Sequence, residues 1–489
     1  MKNPANVIAS RGRAERPVAG VAPARSRWRP DAGTAILFWL IPAALYYAFL
    51  LSAGSPGLFA PVNFGLTFNS MLLHMLQGRF DVDPAAIGPE GYLRDGSVYA
   101  YFGVFPALFR AAFLWLPGFA RTDFTRIACL VAVVAMALFK LMSVRLMWRR
   151  AGAQASSSLL ALLAAAILVS GPQIEFLRPS IYQEVELWAG AMAAAFVYLF
   201  LRGLNQGGGF TSRLLAAMAA AAGLALLTRV SMALGLYVAV GAIWLGEAWR
   251  ASRARQWPIG LVAPAVILAG FVGVTALINF ERWGNPLVFA DFTKSLILDQ
   301  YPDRLARLQR YGEFNLARIG YGIGYYFAPF WALRDGAGQL LWSGFEDGFA
   351  DCCVELPPGS FLVSDPLLIG LGVFGLAHAF RKGVERRDLL LAAALGLAVP
   401  WLLMLTAFAM SFRYRIEFYP LIELFAFLGF ARLAARPTAR ATAPVALGAF
   451  AGIVTAHAFW LLYMLSPFGP AGQRMGAQGI VELYASLFR

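Results

Sequence analysis

The sequence has few charged residues, few histidines and few cysteines, and each scarcity argues against a class of protein. Charged residues make up 14% of the 489 residues, whereas a soluble globular domain carries about 25%. The three cysteines and three histidines have neither the spacing of a disulfide framework nor that of a metal site. The sequence is therefore atypical of a disulfide-stapled secreted domain, a zinc protein or an ordinary soluble enzyme.

Apolar residues, by contrast, make up 59% of the chain and occur in long blocks. A block of about 20 apolar residues crosses the ~30 Å hydrocarbon core of a bilayer as a helix. The formal net charge of +14 comes largely from arginines in short runs between these blocks, which is typical of topology signals and not of a nucleic-acid surface. The sequence predicts an all-α polytopic membrane protein of about eleven transmembrane helices, with approximate spans 34–53, 126–147, 157–172, 182–201, 214–228, 230–246, 257–279, 366–380, 389–408, 416–432 and 441–464.

The arginine runs also predict the orientation of the chain. Residues 1–33 are rich in Arg, Pro and Ala and predict a disordered basic cytoplasmic tail. With that tail inside, alternate connections are cytoplasmic and basic, as the positive-inside rule requires. We therefore expect a multi-pass protein of the bacterial inner (plasma) membrane with an extracytoplasmic C-terminal tail, 466–489. The transmembrane domain, 34–465, would include an outer loop, 54–125, and an outer segment, 280–365.

Acidic residues gather in the predicted outer loop, where two amphipathic segments suggest interfacial helices. Asp81 and Asp83 are two residues apart, so in an extended stretch their side chains point the same way. A carboxylate held near apolar walls at the membrane surface suits a general base acting on a sugar hydroxyl or amine. Both are predicted catalytic residues; the alternatives are joint capture of a divalent cation and a plain turn at Asp83-Pro84. His74, like the other two histidines, is predicted to be structural.

Arginines and other polar residues at predicted outer positions are candidates for substrate contact. Outer arginines run against the positive-inside tendency, and guanidinium groups bind phosphate oxygens bidentately. The alternative is an internal ion pair or a lipid head group. Glu184 and Glu186 open the fourth span, where an unpaired carboxylate is costly, so a partner is expected. The predicted substrate-binding residues are Glu90, Asp95, Tyr101, Arg178, Glu184, Arg229, Arg413 and Arg415.

With these residues laid out, the chain resembles the GT-C class of membrane glycosyltransferases, the group of the protein O-mannosyltransferases and aminoarabinose transferases. The layout is similar over nearly the whole chain. Local similarities occur at Gly78-Arg79-Phe80, at the stretch 99–106, at the Asn, aromatic, Gly-Asn-Pro stretch 279–289, and at 413–420. The resemblance implies a polyprenyl-phosphate sugar donor and an acidic catalytic residue in the first outer loop.

Two positions depart from the family pattern. Members often place an Asp-Glu pair at the start of the first interfacial helix, where this chain reads Pro61-Val-Asn-Phe with Asn63 near the expected position. The lysine that precedes the family's prolines is replaced by Gly103-Val-Phe-Pro. The catalytic acid is therefore expected at Asp81 or Asp83; otherwise the fold is kept and the activity is different or lost.

These inferences predict a membrane glycosyltransferase that moves a sugar from a polyprenyl-phosphate donor to an extracytoplasmic glycan, lipid or protein acceptor, without nucleic acid. The alternative is a non-catalytic transporter or assembly component for lipid-linked glycans. A transporter should line a path through the membrane with charged groups, whereas Lys140 is the clear intramembrane basic residue and is predicted to snorkel inward. The site is expected between the acidic loop and the outer ends of the fourth and tenth spans.

Overall fold

The computed structural model describes residues 32–52, 57–152, 155–206, 209–253, 259–328, 360–379, 381, 386–435 and 439–465. The predicted cytoplasmic tail, apart from its last two residues, and the predicted C-terminal tail lie outside these ranges, as does the middle of the outer segment. Within the described ranges the chain is helical apart from one two-stranded hairpin.

The helices and strands follow each other in this order along the chain. They are α1 (Ala32–Phe38), α2 (Leu40–Leu51), α3 (Thr67–Met75), α4 (Pro84–Ile87), β1 (Tyr92–Arg94), β2 (Ser97–Tyr99), α5 (Phe105–Phe109), α6 (Thr125–Ala151), α7 (Ser157–Val169), α8 (Pro172–Glu175), α9 (Ile181–Leu204), α10 (Ser212–Leu226), α11 (Val230–Arg253), α12 (Val262–Trp283), α13 (Leu296–Asp299), α14 (Pro302–Tyr311), α15 (Ile319–Phe327), α16 (Phe361–Ser364), α17 (Pro366–Ala379), α18 (Arg387–Thr406), α19 (Tyr419–Ala434) and α20 (Ala439–Leu465).

Eight helical stretches of the described residues are long and apolar enough to cross a membrane. The fold class is therefore an all-α polytopic membrane protein, as predicted. Three further predicted spans correspond to the shorter helices α10, α17 and α19, so the count of about eleven stays a prediction. The eight stretches are Ala32–Leu51, Thr125–Ala151, Ser157–Glu175, Ile181–Leu204, Val230–Arg253, Ile259–Trp283, Arg387–Thr406 and Ala441–Leu461.

These helices run alternately between two ends of one bundle. We call the end that carries residues 57–124 the loop end, and the opposite end the arginine-rich end. At the arginine-rich end, Arg150 of α6 donates to the Asn205 side-chain oxygen after α9 at 2.7 Å, and Arg250 of α11 pairs with Asp388 of α18 at 2.7 Å. The arginine-rich connections predicted from the sequence therefore meet at one end.

The first loop folds into a small unit with its own apolar core at the loop end. Phe68, Phe102 and Phe124 are buried in this core together with Ile181, the first residue of α9. The loop also docks on the bend between α10 and α11, because the Phe105 N–H donates to the Leu227 carbonyl at 2.8 Å. The loop is thus fixed to the bundle by packing and by a backbone hydrogen bond.

Gly103 explains one departure from the family pattern. A Cβ at this position would lie 2.2 Å from the Leu227 carbonyl oxygen, a distance that no side chain tolerates. Only glycine therefore lets the loop backbone approach the bend so closely. The position needs a small residue because of this contact between backbones.

The structure corrects the prediction that Lys140 snorkels to the membrane surface. Lys140 is 2% exposed, and its Nζ lies 2.5 Å from the Glu423 carboxylate of α19. An unpaired charge inside a bilayer is costly, whereas a partner on a neighbouring helix satisfies it locally. The amine is therefore held between α6 and α19, and a charged pair lies inside the bundle.

Candidate functional site

The first loop places a histidine between the two predicted catalytic aspartates. The chain turns back at Gly78, which has a positive φ of 75°, so that residues 79–83 return past the last turn of α3. The imidazole of His74 lies 3.1 Å from Asp81 (Nδ1 to Oδ1) and 3.4 Å from Asp83 (Nε2 to Oδ1). These three side chains form what we call the His74 group.

The two aspartates differ in their partners and in their exposure to water. Asp81 also pairs with Arg79 at 3.0 Å, and its side chain is 15% exposed. Asp83 is joined to Ser70 twice: its backbone N–H donates to Ser70 Oγ at 2.8 Å, and Oγ donates to Asp83 Oδ2 at 2.9 Å. The side chain of Asp83 is 63% exposed. Asp83 is therefore the more accessible carboxylate of the two.

The residues of the His74 group do not suit the divalent cation considered for the two aspartates. Arg79 and the His74 imidazole already lie against Asp81, and a guanidinium in that position repels a cation. Among the described residues, no group of three or more His, Cys, Asp or Glu could hold a metal ion. These side chains therefore do not form a favourable site for a divalent cation.

A second group of polar side chains joins the first loop to α9 and to the turn before α19. Arg413 stacks on Tyr182 of α9, with 4.4 Å between the guanidinium carbon and the ring centroid. The Tyr182 side chain also lies close to the Glu90 carboxylate of the first loop. Tyr101 lies close enough to feel the charges of both Arg413 and Glu90; burial raises the pKa of its phenol, and Arg413 opposes that rise. We call Glu90, Tyr101, Tyr182 and Arg413 the Arg413 group.

Arg229 occupies the bend between α10 and α11 beside this group. Its Nη1 lies 2.9 Å from Glu186 of α9, and its Nε donates to Glu417. Ser231 donates a further hydrogen bond to Glu417 at 2.5 Å. The guanidinium also faces the Tyr414 ring at 5.3 Å. Arg229 therefore ties three elements together, and the partner expected for Glu186 is this arginine.

Glu184 is enclosed in a bidentate ion pair with Arg110. The two Nη atoms of Arg110 donate to the two carboxylate oxygens at 2.5 and 2.8 Å, and both side chains are fully buried. Asn69 of α3 accepts from Arg110 Nε at 2.9 Å. This pair fastens the first loop to α9, and it leaves Glu184 no exposed surface for a substrate.

Arg415 is enclosed in the same way. It donates to Glu175 at 2.7 Å and to Asp365 at 2.9 Å, and all three side chains are buried. The Tyr419 hydroxyl lies 2.8 Å from Asp365 and 3.2 Å from Glu175. Arg415 therefore forms an internal ion pair, which was the alternative to substrate contact for the outer arginines.

Asp95 belongs to the β1–β2 hairpin, and Arg178 belongs to the connection between α8 and α9. Asp95 and Gly96 form the tip of the β1–β2 hairpin, with positive φ values of 51° and 79°, as a two-residue type I′ turn requires. Asp95 is exposed and pairs with Arg94 at 3.1 Å. Arg178 is half-buried in the connection between α8 and α9. Asp95 therefore has a structural role in the turn.

The structure thus brings Glu90, Tyr101 and Arg413 together, with Arg229 adjacent, and it places Asp81 and Asp83 in a separate group. The two groups share a wall: the Val82 N–H donates to the Val98 carbonyl of β2 at 2.8 Å, and Tyr101 follows two residues after β2. The strand β2 therefore connects the two groups.

His74 and Tyr182, which belong to these groups, and Arg110, which pairs with Glu184, were not predicted from the sequence as site residues. His74 lies at the end of an amphipathic segment next to the acidic run, a signal that was available. Arg110 is 74 residues from Glu184, and no spacing rule predicts a partner at that distance.

Another buried acid, Asp123, lies near Asn63, where the family often keeps its acid. It accepts from the backbone N–H groups of Val62 and Thr125, both at 2.8 Å, and it is 4% exposed. One of its oxygens therefore holds the backbone of the loop before α3, and the other holds the start of α6.

Comparison with known proteins gives partial matches to solved structures. No family model matches the chain, and no relative is found among curated proteins. The chain is similar to the oligosaccharyltransferase of Archaeoglobus fulgidus in its apo form, with 14% identity and a TM-score of 0.43 over 87% of this chain and 55% of that one. The chain therefore spans about half the length of the archaeal protein.

A second similarity is to ArnT from Cupriavidus metallidurans, whose structure contains undecaprenyl phosphate. The identity is 14% and the TM-score 0.41, over 93% of this chain and 75% of that one. The same archaeal protein in complex with an inhibitory peptide and a dolichol-phosphate gives 15% and 0.41, over 86% and 55%. At these scores the functional conclusion depends on the residues of the chain itself.

Proposed function

We propose that the chain is a GT-C-type membrane glycosyltransferase that transfers a sugar from a polyprenyl-phosphate donor. The observation that carries this proposal is the Arg413 group, in which a carboxylate, two tyrosines and a guanidinium from three separate elements meet at the loop end. A sugar offers hydroxyls and an apolar ring face, and its leaving group is a phosphate. The group contains a partner for each of these features.

Arg413 is the residue proposed to hold the donor phosphate. A guanidinium binds phosphate oxygens in a bidentate manner, and it stabilises the negative charge that grows on the phosphate as the sugar leaves. Tyr182 supports the guanidinium from one side, with 4.4 Å between them. Arg413 is half-buried, so part of its surface is exposed.

Asp83 is the residue proposed to take the proton from the acceptor. Its carboxylate is the exposed one of the pair, and Ser70 and His74 fix its orientation. In the reaction, the acceptor hydroxyl or amine gives its proton to Asp83 and bonds to the sugar. The bond between the sugar and the phosphate breaks at the same carbon, and the polyprenyl phosphate leaves.

The same proposal sets the sidedness of the protein. The arginine-rich end faces the cytoplasm of a bacterium, in accordance with the positive-inside rule, so the loop end faces outward. Both groups then lie at the extracytoplasmic surface of the inner membrane, where the acceptor is a glycan, a lipid or a protein. Donor and acceptor meet there without nucleotide or nucleic acid.

The experiment is transfer in membranes from a panel of radiolabelled polyprenyl-phosphate sugars. We expect at least one donor to support transfer, and Asp83→Asn to lower the rate by about 10²- to 10⁴-fold, the usual contribution of a general base. Asp95→Asn is the matched control in the same loop and should leave the rate unchanged. Transfer by Asp83→Asn at the wild-type rate would remove Asp83 as the base, and no transfer from any donor would contradict the proposal.

The alternative of a lipid-linked glycan transporter has one observation in its favour. The Lys140–Glu423 pair lies inside the bundle, and a path through the membrane needs polar groups at that depth. The pair is closed, however, with both side chains 3% exposed, so it lines no open path in this conformation. Movement of a fluorescent polyprenyl-phosphate sugar across liposomes, abolished in Lys140→Met, would favour transport.

A further inference from the structure

A cavity at the arginine-rich end has the character of an anion site. Its volume is about 220 Å³, and it lies among the ends of α6, α9, α17, α18 and α19. Two arginines and a histidine line it together with leucines and small residues. The polar and larger apolar lining residues are Arg150, His378, Arg432, Leu204, Leu390 and Leu428.

The described residues that line this cavity carry basic groups without a carboxylate. They include two guanidiniums from different helices, Arg150 and Arg432, and no Asp or Glu. The neighbouring carboxylates Asp388 and Glu247 both pair with Arg250. Like charges that share a confined space repel each other, so an anion in the cavity would stabilise this end of the bundle.

The arginines are partly preorganised for such an anion. Arg150 donates from Nη1 to the Asn205 side-chain oxygen at 2.7 Å, which fixes one edge of its guanidinium and leaves its other donors available to a ligand. Arg432 is half-buried on α19. Two guanidiniums held in this way match the oxygens of a phosphate group, which they bind with charge-assisted hydrogen bonds.

The apolar part of the lining indicates an amphipathic ligand. Leu204, Leu390 and Leu428 lie beside the basic groups, so the cavity offers an acyl chain an apolar wall next to the phosphate contacts. Basic pockets between transmembrane helices at the cytoplasmic side are typical sites for anionic lipid head groups. A free inorganic anion would have no use for the leucines.

We propose that this cavity binds the phosphate head group of an anionic phospholipid of the phosphatidylglycerol type. The phosphate lies between Arg150 and Arg432, and the start of an acyl chain lies along the leucines. The phosphodiester of the bound lipid carries one negative charge, which offsets one of the two guanidinium charges, and the lipid links the ends of α6 and α19. This site is independent of the glycosyl transfer proposed for the loop end.

The test is native mass spectrometry of the purified full chain with three added ligands: phosphatidylglycerol, phosphatidylcholine and inorganic phosphate. We expect wild type to retain phosphatidylglycerol in preference to the other two. Arg150→Gln/Arg432→Gln should bind it at least about tenfold more weakly, because the charge-assisted contacts are lost. The matched control, Arg213→Gln/Arg253→Gln, removes two arginines that do not line the cavity and should bind as wild type does.

Three results would overturn the proposal. Wild type could retain phosphatidylcholine as well as phosphatidylglycerol, or it could retain inorganic phosphate as well as phosphatidylglycerol. The third result would be an equal loss of phosphatidylglycerol binding in Arg150→Gln/Arg432→Gln and in its control. Wild type alone gives a second readout that needs no variant to fold. The retention of phosphatidylglycerol should fall several-fold as salt is raised from low to physiological strength, because part of the attraction is screened. Retention that is independent of salt would also contradict the site.

Discussion

Arg413 and Arg415 lie two residues apart in the turn before α19, yet their surroundings are opposite. Arg415 is fully buried between two carboxylates, whereas Arg413 is half-buried on a tyrosine ring. Glu184 and Glu186 do not differ in this way, because both are buried in ion pairs, with Arg110 and Arg229 respectively. Charged residues of the same motif therefore serve two purposes here.

This difference separates charged groups that stabilise the bundle from charged groups that are proposed to contact a substrate. A buried ion pair must satisfy itself, because removing one partner leaves an unpaired charge that costs about 3–5 kcal/mol. Such pairs join helix ends at Arg110–Glu184 and at Arg415–Glu175. A half-exposed group keeps part of its hydrogen-bonding capacity for a ligand. The first kind predicts losses of stability, and the second predicts losses of activity.

The largest expected effect comes from breaking a buried pair. Arg415→Ala leaves Glu175 and Asp365 without their guanidinium, so we expect the free energy of unfolding to fall by about 3–5 kcal/mol. The measurement is thermal or denaturant unfolding of the purified protein in detergent. The control is Arg413→Ala, which should change stability by less than about 1 kcal/mol. Equal losses in the two variants would abolish the distinction between the arginines.

A smaller effect, confined to the donor, is expected from Arg413→Gln. Loss of a charge-assisted contact to phosphate costs about 1.5–3 kcal/mol, which corresponds to roughly 10- to 100-fold weaker donor binding. The measurement is binding of a labelled polyprenyl phosphate to the purified protein. Arg413→Lys keeps the positive charge but loses the bidentate guanidinium, so its affinity for polyprenyl phosphate should lie between those of wild type and Arg413→Gln. If Arg413→Gln bound polyprenyl phosphate as tightly as wild type does, Arg413 would not be the residue that holds the phosphate.

The smallest expected effect is that of a chelator. Because Arg79 and His74 already lie against Asp81, we expect transfer to persist at the wild-type rate after treatment with EDTA. A loss of activity that returns on addition of Mg²⁺ or Mn²⁺ would show instead that a cation acts at the aspartates.

Apolar block length and arginine runs were enough to predict the helices of the bundle. The predicted spans 126–147 and 182–201 lie within α6 and α9. A helix that crosses a bilayer needs about 20 apolar residues, and runs of this length are visible in the sequence. The separation of the predicted spans 214–228 and 230–246 coincides with the bend between α10 and α11, since one helix of their combined length would exceed a single crossing. Some helices extend beyond the predicted boundaries; α11, for example, continues to Arg253.

The side-chain partners could not be predicted, because they join residues distant in sequence. Arg229 and Glu417 are 188 positions apart, and only tertiary packing brings them together. Arg110 lies in an apolar stretch that was read as an interfacial helix, although burial against α9 gives it Glu184 as a partner. His74 lies next to the acidic run in the sequence, but its contacts with both aspartates depend on the turn at Gly78.

The most direct test of the account measures donor binding and transfer separately in Asp83→Asn and Arg413→Gln. If Asp83 is the base, Asp83→Asn binds polyprenyl phosphate within about twofold of wild type and transfers the sugar at least about 10²-fold more slowly. Arg413→Gln should lose binding, with an unchanged midpoint of thermal unfolding. Wild-type transfer by Asp83→Asn, or equal losses of binding in both variants, would contradict the separate roles of the two groups.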